Sequence, residues 1–101
     1  MKNCYYQKLE NPPGLAVLDL VDYYGEGLMI TRINVPTSHR GKGIGSRLLR
    51  EALADADAEG ITLWLEILAY GGLTNDQLRS WYERHGFRGS SILKRNPHKE
   101  N

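Results

Sequence analysis

The spacing of apolar positions changes along the chain, and each change marks an element. Tyr5–Leu9 and Leu15–Asp22 alternate as two short strands, separated by the turn cluster Asn11-Pro12-Pro13-Gly14. Tyr23 to Gly27 turns the chain again into Leu28–Val35, a β-branched, alternating run that ends at Pro36, so these three strands are predicted to form an antiparallel meander. From Ile44 the period becomes helical. Ile44, Leu48, Leu49, Ala52, Leu53 and Ala56 define one face of a helix over 44–59 that stops near Gly60. Ile61–Leu68 returns to strand, and its apolar run predicts burial on both faces. Thr74 and Gln77 then spell a capping box, with Leu73 and Leu78 at the staple positions. Leu78, Trp81, Tyr82 and His85 form the inward face of this second helix, which Gly86 ends. A last short strand is expected over 90–94. Residues 1–95 read as one domain and 96–101 as a loose tail.

Composition narrows the function by exclusion. A net charge of +1 over 101 residues gives no general attraction to nucleic acid or to acidic membranes. Arg40, Lys42, Arg47 and Arg50 lack stacking aromatics, which argues against a nucleic-acid surface. Single Cys4 cannot form an internal disulfide. No window resembles a signal peptide or a membrane span, so the expected address is cytoplasmic. His39, His85 and His98 are far apart without metal-ligand spacing; no metal is expected, and each reads as a surface or loop residue.

The chemistry concentrates between the third strand and the first helix, in Val35-Pro36-Thr37-Ser38-His39-Arg40-Gly41-Lys42-Gly43-Ile44-Gly45. Three glycines in five residues permit positive φ and close backbone approach to a ligand. The first amides of the following helix are orphan donors at the positive end of its dipole. Arg40 and Lys42 add two positive charges, and a pyrophosphate suits such a turn. A Walker loop requires Gly-Lys-Ser/Thr after a four-residue spacer, which is absent. A dinucleotide fingerprint requires a glycine where Leu48 stands, and a larger sheet than this chain supplies.

The remaining pattern, Arg-x-x-Gly-x-Gly from Arg40 through Gly43 to Gly45, resembles the acyl-CoA-binding signature of the GCN5-related N-acetyltransferase (GNAT) superfamily. A second motif agrees with it: Asn75 followed by a short helix ending in Tyr82-Glu83-Arg84-His85-Gly86-Phe87 is similar to the family's Asn and Tyr-Glu-x-x-Gly-Phe. Leu63-Trp64-Leu65-Glu66-Ile67 between them is similar to the fifth strand of the ribosomal-protein N-terminal acetyltransferases. The likeness covers residues 27 to 88.

The resemblance implies an α/β (α+β) fold: a mixed, mostly antiparallel sheet with two main helices. It lacks the family's first strand and first two helices, and its end is too short for the usual final hairpin. It further implies acetyl-CoA as acyl donor. The diphosphate would be held at Arg40, Gly41, Lys42, Gly43, Ile44 and Gly45, pantetheine would pair along Ile33, Asn34 and Val35, and Asn75 would contact the cofactor arm. Tyr82 matches the tyrosine that protonates the departing thiolate. Glu66 matches the general base, with its carboxyl expected to be desolvated among Leu65, Trp64 and Ile67; Glu26 is a weaker substitute. The residues Ala69 to Leu73 lengthen the loop between Glu66 and Tyr82 relative to those relatives. Tyr82 read on spacing alone is a core aromatic, and Trp64 and Trp81 read as core.

The activity so implied is transfer of acetyl to an amine (a protein N-terminus, a lysine or a small amine) by direct transfer in a ternary complex. An α-amine of pKa about 8 needs less help from a base than a lysine near 10.4. The alternative is a non-catalytic GNAT-fold interaction module that binds CoA structurally. A homodimer would rebuild the missing acceptor wall and cover apolar sheet edges.

Overall fold

The computed structural model describes residues 1–68 and 73–98, so most of the loop predicted at Ala69 to Leu73 lies outside the described residues. Its elements are β1 (Cys4–Leu9), β2 (Gly14–Asp22), β3 (Leu28–Asn34), a 3-10 turn (Thr37–His39), α1 (Ile44–Glu59), β4 (Leu63–Glu66), α2 (Asn75–Glu83), β5 (Arg88–Gly89) and β6 (Ile92–Arg95). The strands form one sheet in the order β1-β2-β3-β4-β6-β5. Every neighbouring pair is antiparallel except β3 and β4, which α1 connects as a crossover. The expected mixed sheet with two main helices is therefore present.

The core lies on one side of this sheet. Tyr5, Ala16, Leu18, Leu20, Ile30, Leu63, Leu65 and Leu93 point to the same layer as Leu48, Leu49, Ala52, Leu53 and Ala56 of α1 and Leu78 of α2. Phe87, following α2, is fully buried in the same cluster. Tyr5 also donates its hydroxyl to Asp55 at 2.6 Å, tying the edge strand to α1. Burial first, and then the Asp55 carboxylate, push that phenol well above its ordinary value.

A β-bulge in β3 bends the strand at the centre of the sheet. Asp19 pairs with Arg32 and Leu20 with Ile30, so Thr31 is an extra residue on β3. Arg32 is pinned beyond the bulge by Asp19 at 2.6 Å. The parallel pairing of β3 with β4 covers only Leu28–Ile30 against Leu63–Leu65. It stops at the bulge, and the strands diverge from there while β3 stays paired with β2 as far as Asn34.

Four expectations are corrected. The C-terminal part does close a hairpin, because two residues of β5 suffice to pair Arg88 and Gly89 with Lys94 and Leu93. β4 is buried on one face only: Leu63, Leu65 and Ile67 are buried, whereas Glu66 and Leu68 are exposed and Trp64 is partly so. His39 is buried rather than a surface residue, its Nε2 lying 2.8 Å from the Pro12 carbonyl. Asn96 to His98 are not a loose tail, since the His98 amide donates to Asp57 at 2.8 Å; residues 99–101 lie outside the described residues.

That contact belongs to a buried anchor. Arg95 on β6 has a 5% exposed side chain and grips Asp57 of α1 at 2.7 and 3.0 Å, while its Nε donates to the His85 carbonyl at 2.8 Å. Hydrogen bonding from Arg95 holds the Asp57 carboxyl below the usual carboxylate range. A depressed folded-state value stabilises above the unfolded one, so this contribution is complete above about pH 4 and lost as pH falls through the folded value. Asp57→Ala, which leaves the Arg95 charge buried and unpaired, is expected to lower the unfolding free energy by about 3 kcal/mol at pH 7. Urea unfolding at pH 7 and pH 3 should show this difference shrinking at the lower pH.

Candidate active site

Beyond the bulge, β3 runs into the glycine turn. Gly41 and Gly43 have φ of +81° and +76°, and a Cβ at either would meet nothing within 4 Å. Left-handed backbone, not crowding, is therefore what calls for glycine there. Gly43 is the N-cap of α1 and no side chain caps the helix. The first helical bond is Arg47 N–H to the Gly43 carbonyl at 3.0 Å, which leaves the amides of Ile44, Gly45 and Ser46 without acceptors inside the helix. At Gly45 a Cβ would stand 3.6 Å from Val35 Cγ2 and 3.9 Å from Ile33 Cγ2, in the gap between the helix start and the end of β3. Arg40 Nε donates to the Val35 carbonyl at 2.9 Å, bracing the turn against that end. Lys42 is exposed. Orphan amides, two cations and an open left-handed turn fit a diphosphate.

From this turn a groove of about 1080 Å³ extends along α2. Its walls are Ile33, Val35, Arg40 and Gly41 on one side and Leu73, Asp76, Gln77, Leu78, Ser80, Trp81, Tyr82, Glu83 and Arg84 on the other. A second, smaller cavity of about 170 Å³ lies in the opening between the diverging strands, lined by Ile30, Thr31, Arg32, Ile33, Leu65, Glu66, Leu68, Leu78 and Tyr82. The two spaces share Ile33, Leu78 and Tyr82 as a common wall.

Tyr82 is held at this junction by its ring. It packs edge-on against Trp81 and Phe87, with centroids 4.9 and 5.7 Å away. No described side chain hydrogen-bonds its hydroxyl. Burial alone pushes the phenol up to about 12, so it is a neutral donor across the physiological range. Glu66 lines the smaller cavity but is exposed, since strand alternation turns it away from buried Leu65 and Ile67. The enclosure expected around its carboxyl is thus absent.

Of the remaining sequence candidates, Ile33, Val35, Arg40 and Gly41 line the groove, and Gly43, Ile44 and Gly45 form the turn at its end. Asn34 pairs with Val17 of β2. Asn75 is exposed in the first turn of α2 and is not among the groove residues; its neighbours Asp76 and Gln77 are. Gln77 and Thr74 complete the predicted capping box, at 2.8 and 3.2 Å. Trp81 is partly buried against the core, as expected, and also lines the groove. Trp64 stacks with Tyr23 on the opposite face of the sheet, at 4.8 Å. Glu26 belongs to the β2–β3 turn and lines neither space. Sequence reasoning missed the far wall of the groove and the Thr31 bulge. The helical period that marked Leu78 and Trp81 as inward was a signal for the first; nothing in the letters announces the second.

A family model described as an acetyltransferase (GNAT) domain matches residues 3–89. The chain belongs to the GNAT superfamily. Solved structures with the same fold include the ribosomal-protein-S18-alanine N-acetyltransferase of Escherichia coli, with a TM-score of 0.72 and 16% identity over 100% of this chain and 74% of that one. The PaiA N-acetyltransferase of Thermoplasma acidophilum, in complex with coenzyme A, gives 0.60 and 19% over 93% and 61% of the two chains. The anti-CRISPR protein AcrVA5 gives 0.62 and 16% over 92% and 98%, so a GNAT fold of this compact size has a solved counterpart. No curated protein matches the chain significantly in sequence. Because the Tyr82 hydroxyl has no described protein partner, Tyr82→Phe is expected to change the unfolding free energy by no more than about 0.5 kcal/mol, as chemical denaturation would measure.

Proposed function

We propose that this protein is an acetyl-CoA-dependent N-acetyltransferase that transfers acetyl directly to an amine while donor and acceptor are bound together. The observation that carries the reading is the common wall: a long groove ending at an anion-binding turn meets a small cavity at Tyr82. In this reading the amides of Ile44 and Gly45, with Arg40 and Lys42, hold the diphosphate, and the end of β3 from Ile33 to Val35 lines the pantetheine path. Acetyl-CoA supplies an activated thioester. The acceptor amine enters the smaller cavity, and its nitrogen forms the new bond to the acetyl carbon as the bond to sulfur breaks.

Two protein groups manage the proton that the nitrogen loses and the sulfur gains. Glu66, at the exposed rim, accepts it from the amine directly or through water. Exposed as it is, this carboxylate favours acceptors that arrive neutral: at pH 7 an α-amine of pKa about 8 is roughly a tenth neutral, a lysine near 10.4 less than a thousandth. Tyr82 faces the leaving sulfur. Full proton transfer from a phenol near 12 to a thiolate whose acid has a pKa of about 8.5 is uphill by more than three units. The role of Tyr82 is therefore a hydrogen bond that stabilises the developing thiolate, with the proton following from the amine side.

Three outcomes are expected. Calorimetric titration with acetyl-CoA gives saturable binding that Gly43→Val weakens at least tenfold, because a β-branched residue resists the left-handed turn; no heat at millimolar donor would refute the reading. Tyr82→Phe lowers kcat by about a hundredfold with little change in donor affinity. The pH–rate profile of the native protein rises as the acceptor amine deprotonates and shows no falling limb up to pH 10, since Tyr82 is still protonated there.

A further inference from the structure

The smaller cavity passes from apolar to polar along its depth. Ile30 and Leu65 form the last pair of the β3–β4 ladder, where the strands begin to part, and both are buried. Leu78 of α2, also buried, is a third aliphatic wall, so the closed end of the cavity is hydrocarbon. Thr31, Arg32 and Glu66 are exposed and mark the open end. Ile33 and Tyr82 are shared with the donor groove.

We infer that the closed end holds the acyl chain of the donor, that this chain extends beyond acetyl to propionyl and butyryl, and that Leu65 and Ile30 set its limit. The inference rests on the acetyltransferase reading above and widens its donor class, with acetyl as the smallest member. Volume is the first argument. An apolar protein cavity of about 150 Å³ holds a guest the size of benzene. At about 170 Å³ this cavity is comparable. With the sulfur at Tyr82, an acetyl group places only a methyl past the junction, and the aliphatic side chains at the closed end are left without the dispersion contacts that a guest would give them. A butyryl chain fills that end. It leaves the exposed mouth to the acceptor amine, whose proton Glu66 receives there. An octanoyl chain is too long for the space.

The chemistry of the wall is the second argument. A carboxylate carried on the chain would enter a buried aliphatic end with no cation among the residues that close it, at a large desolvation cost. Arg32 stands at the exposed end, and Asp19 already holds it at 2.6 Å. The donors so selected are unbranched aliphatic thioesters, and malonyl chains are excluded.

The test titrates the whole protein, by calorimetry, with acetyl-, propionyl-, butyryl-, hexanoyl-, octanoyl- and malonyl-CoA. The dissociation constant is expected to fall about fourfold for each methylene added from acetyl to butyryl, and to level off beyond it, where further carbons reach the exposed mouth. Malonyl-CoA is expected to bind at least tenfold more weakly than butyryl-CoA. Leu65→Ala enlarges the closed end and should carry the fourfold steps on to hexanoyl; where that variant does not fold, the native series decides alone. Equal affinity for all aliphatic donors, a preference for acetyl, or an unbroken fourfold fall through octanoyl overturns the inference. Malonyl-CoA binding as tightly as butyryl-CoA does so too, as does a folded Leu65→Ala protein whose series still levels off at butyryl. Each of these outcomes leaves the acetyltransferase reading standing as long as acetyl-CoA binds, whereas binding of none of the donors refutes that reading itself.

Discussion

One extra residue in β3 organises the candidate active site. Up to Ile30 the central strands pair as ordinary parallel neighbours; at Thr31 the ladder on β2 absorbs a bulge, the strand bends, and its pairing with β4 ends. A sheet interior does not tolerate an unfilled opening unless other elements hold it. Here β2 holds β3 through Asn34, the Arg32–Asp19 ion pair secures the bulge, and β6 holds β4 from the other side. The opening persists because both strands are satisfied by their outer neighbours.

The helices then divide two tasks. α1 supplies most of the helical core, with its apolar stripe on the sheet, Asp55 accepting from Tyr5 on β1 and Asp57 gripping Arg95 on β6. Its N-terminus, fixed by that packing, is what aims the uncapped amides at the end of β3. α2 is short, with Leu78 its buried residue, and its inward side chains are divided between the core and the groove. Leu78 is the residue that serves both, being buried in the cluster and forming part of the wall between the two spaces.

Much of this was legible in the letters, for identifiable reasons. The glycine turn, the capping box and the helical stripes depend on local chemistry, and each lies within one or two residues of its expected place. The burial of His39 was not legible, because its partner is a carbonyl in another loop, 27 positions away. Two-sided burial of β4 failed since an apolar run records hydrophobicity without saying whether anything covers it. The C-terminal hairpin was missed because two residues of strand carry no periodicity. For Glu66 the letters around it suggested an apolar enclosure, yet alternation sends its neighbours to the opposite face. Long-range partners and coverage, unlike local signals, are decided by tertiary packing.

The uncapped start of α1 has a thermodynamic corollary. Among the described residues no side chain caps its first turn, so any anion bound there would supply the missing acceptors and link occupancy to folding. By mass action a ligand at a hundred times its dissociation constant adds about 2.7 kcal/mol to the native state, a sizeable share of what a domain of this size possesses.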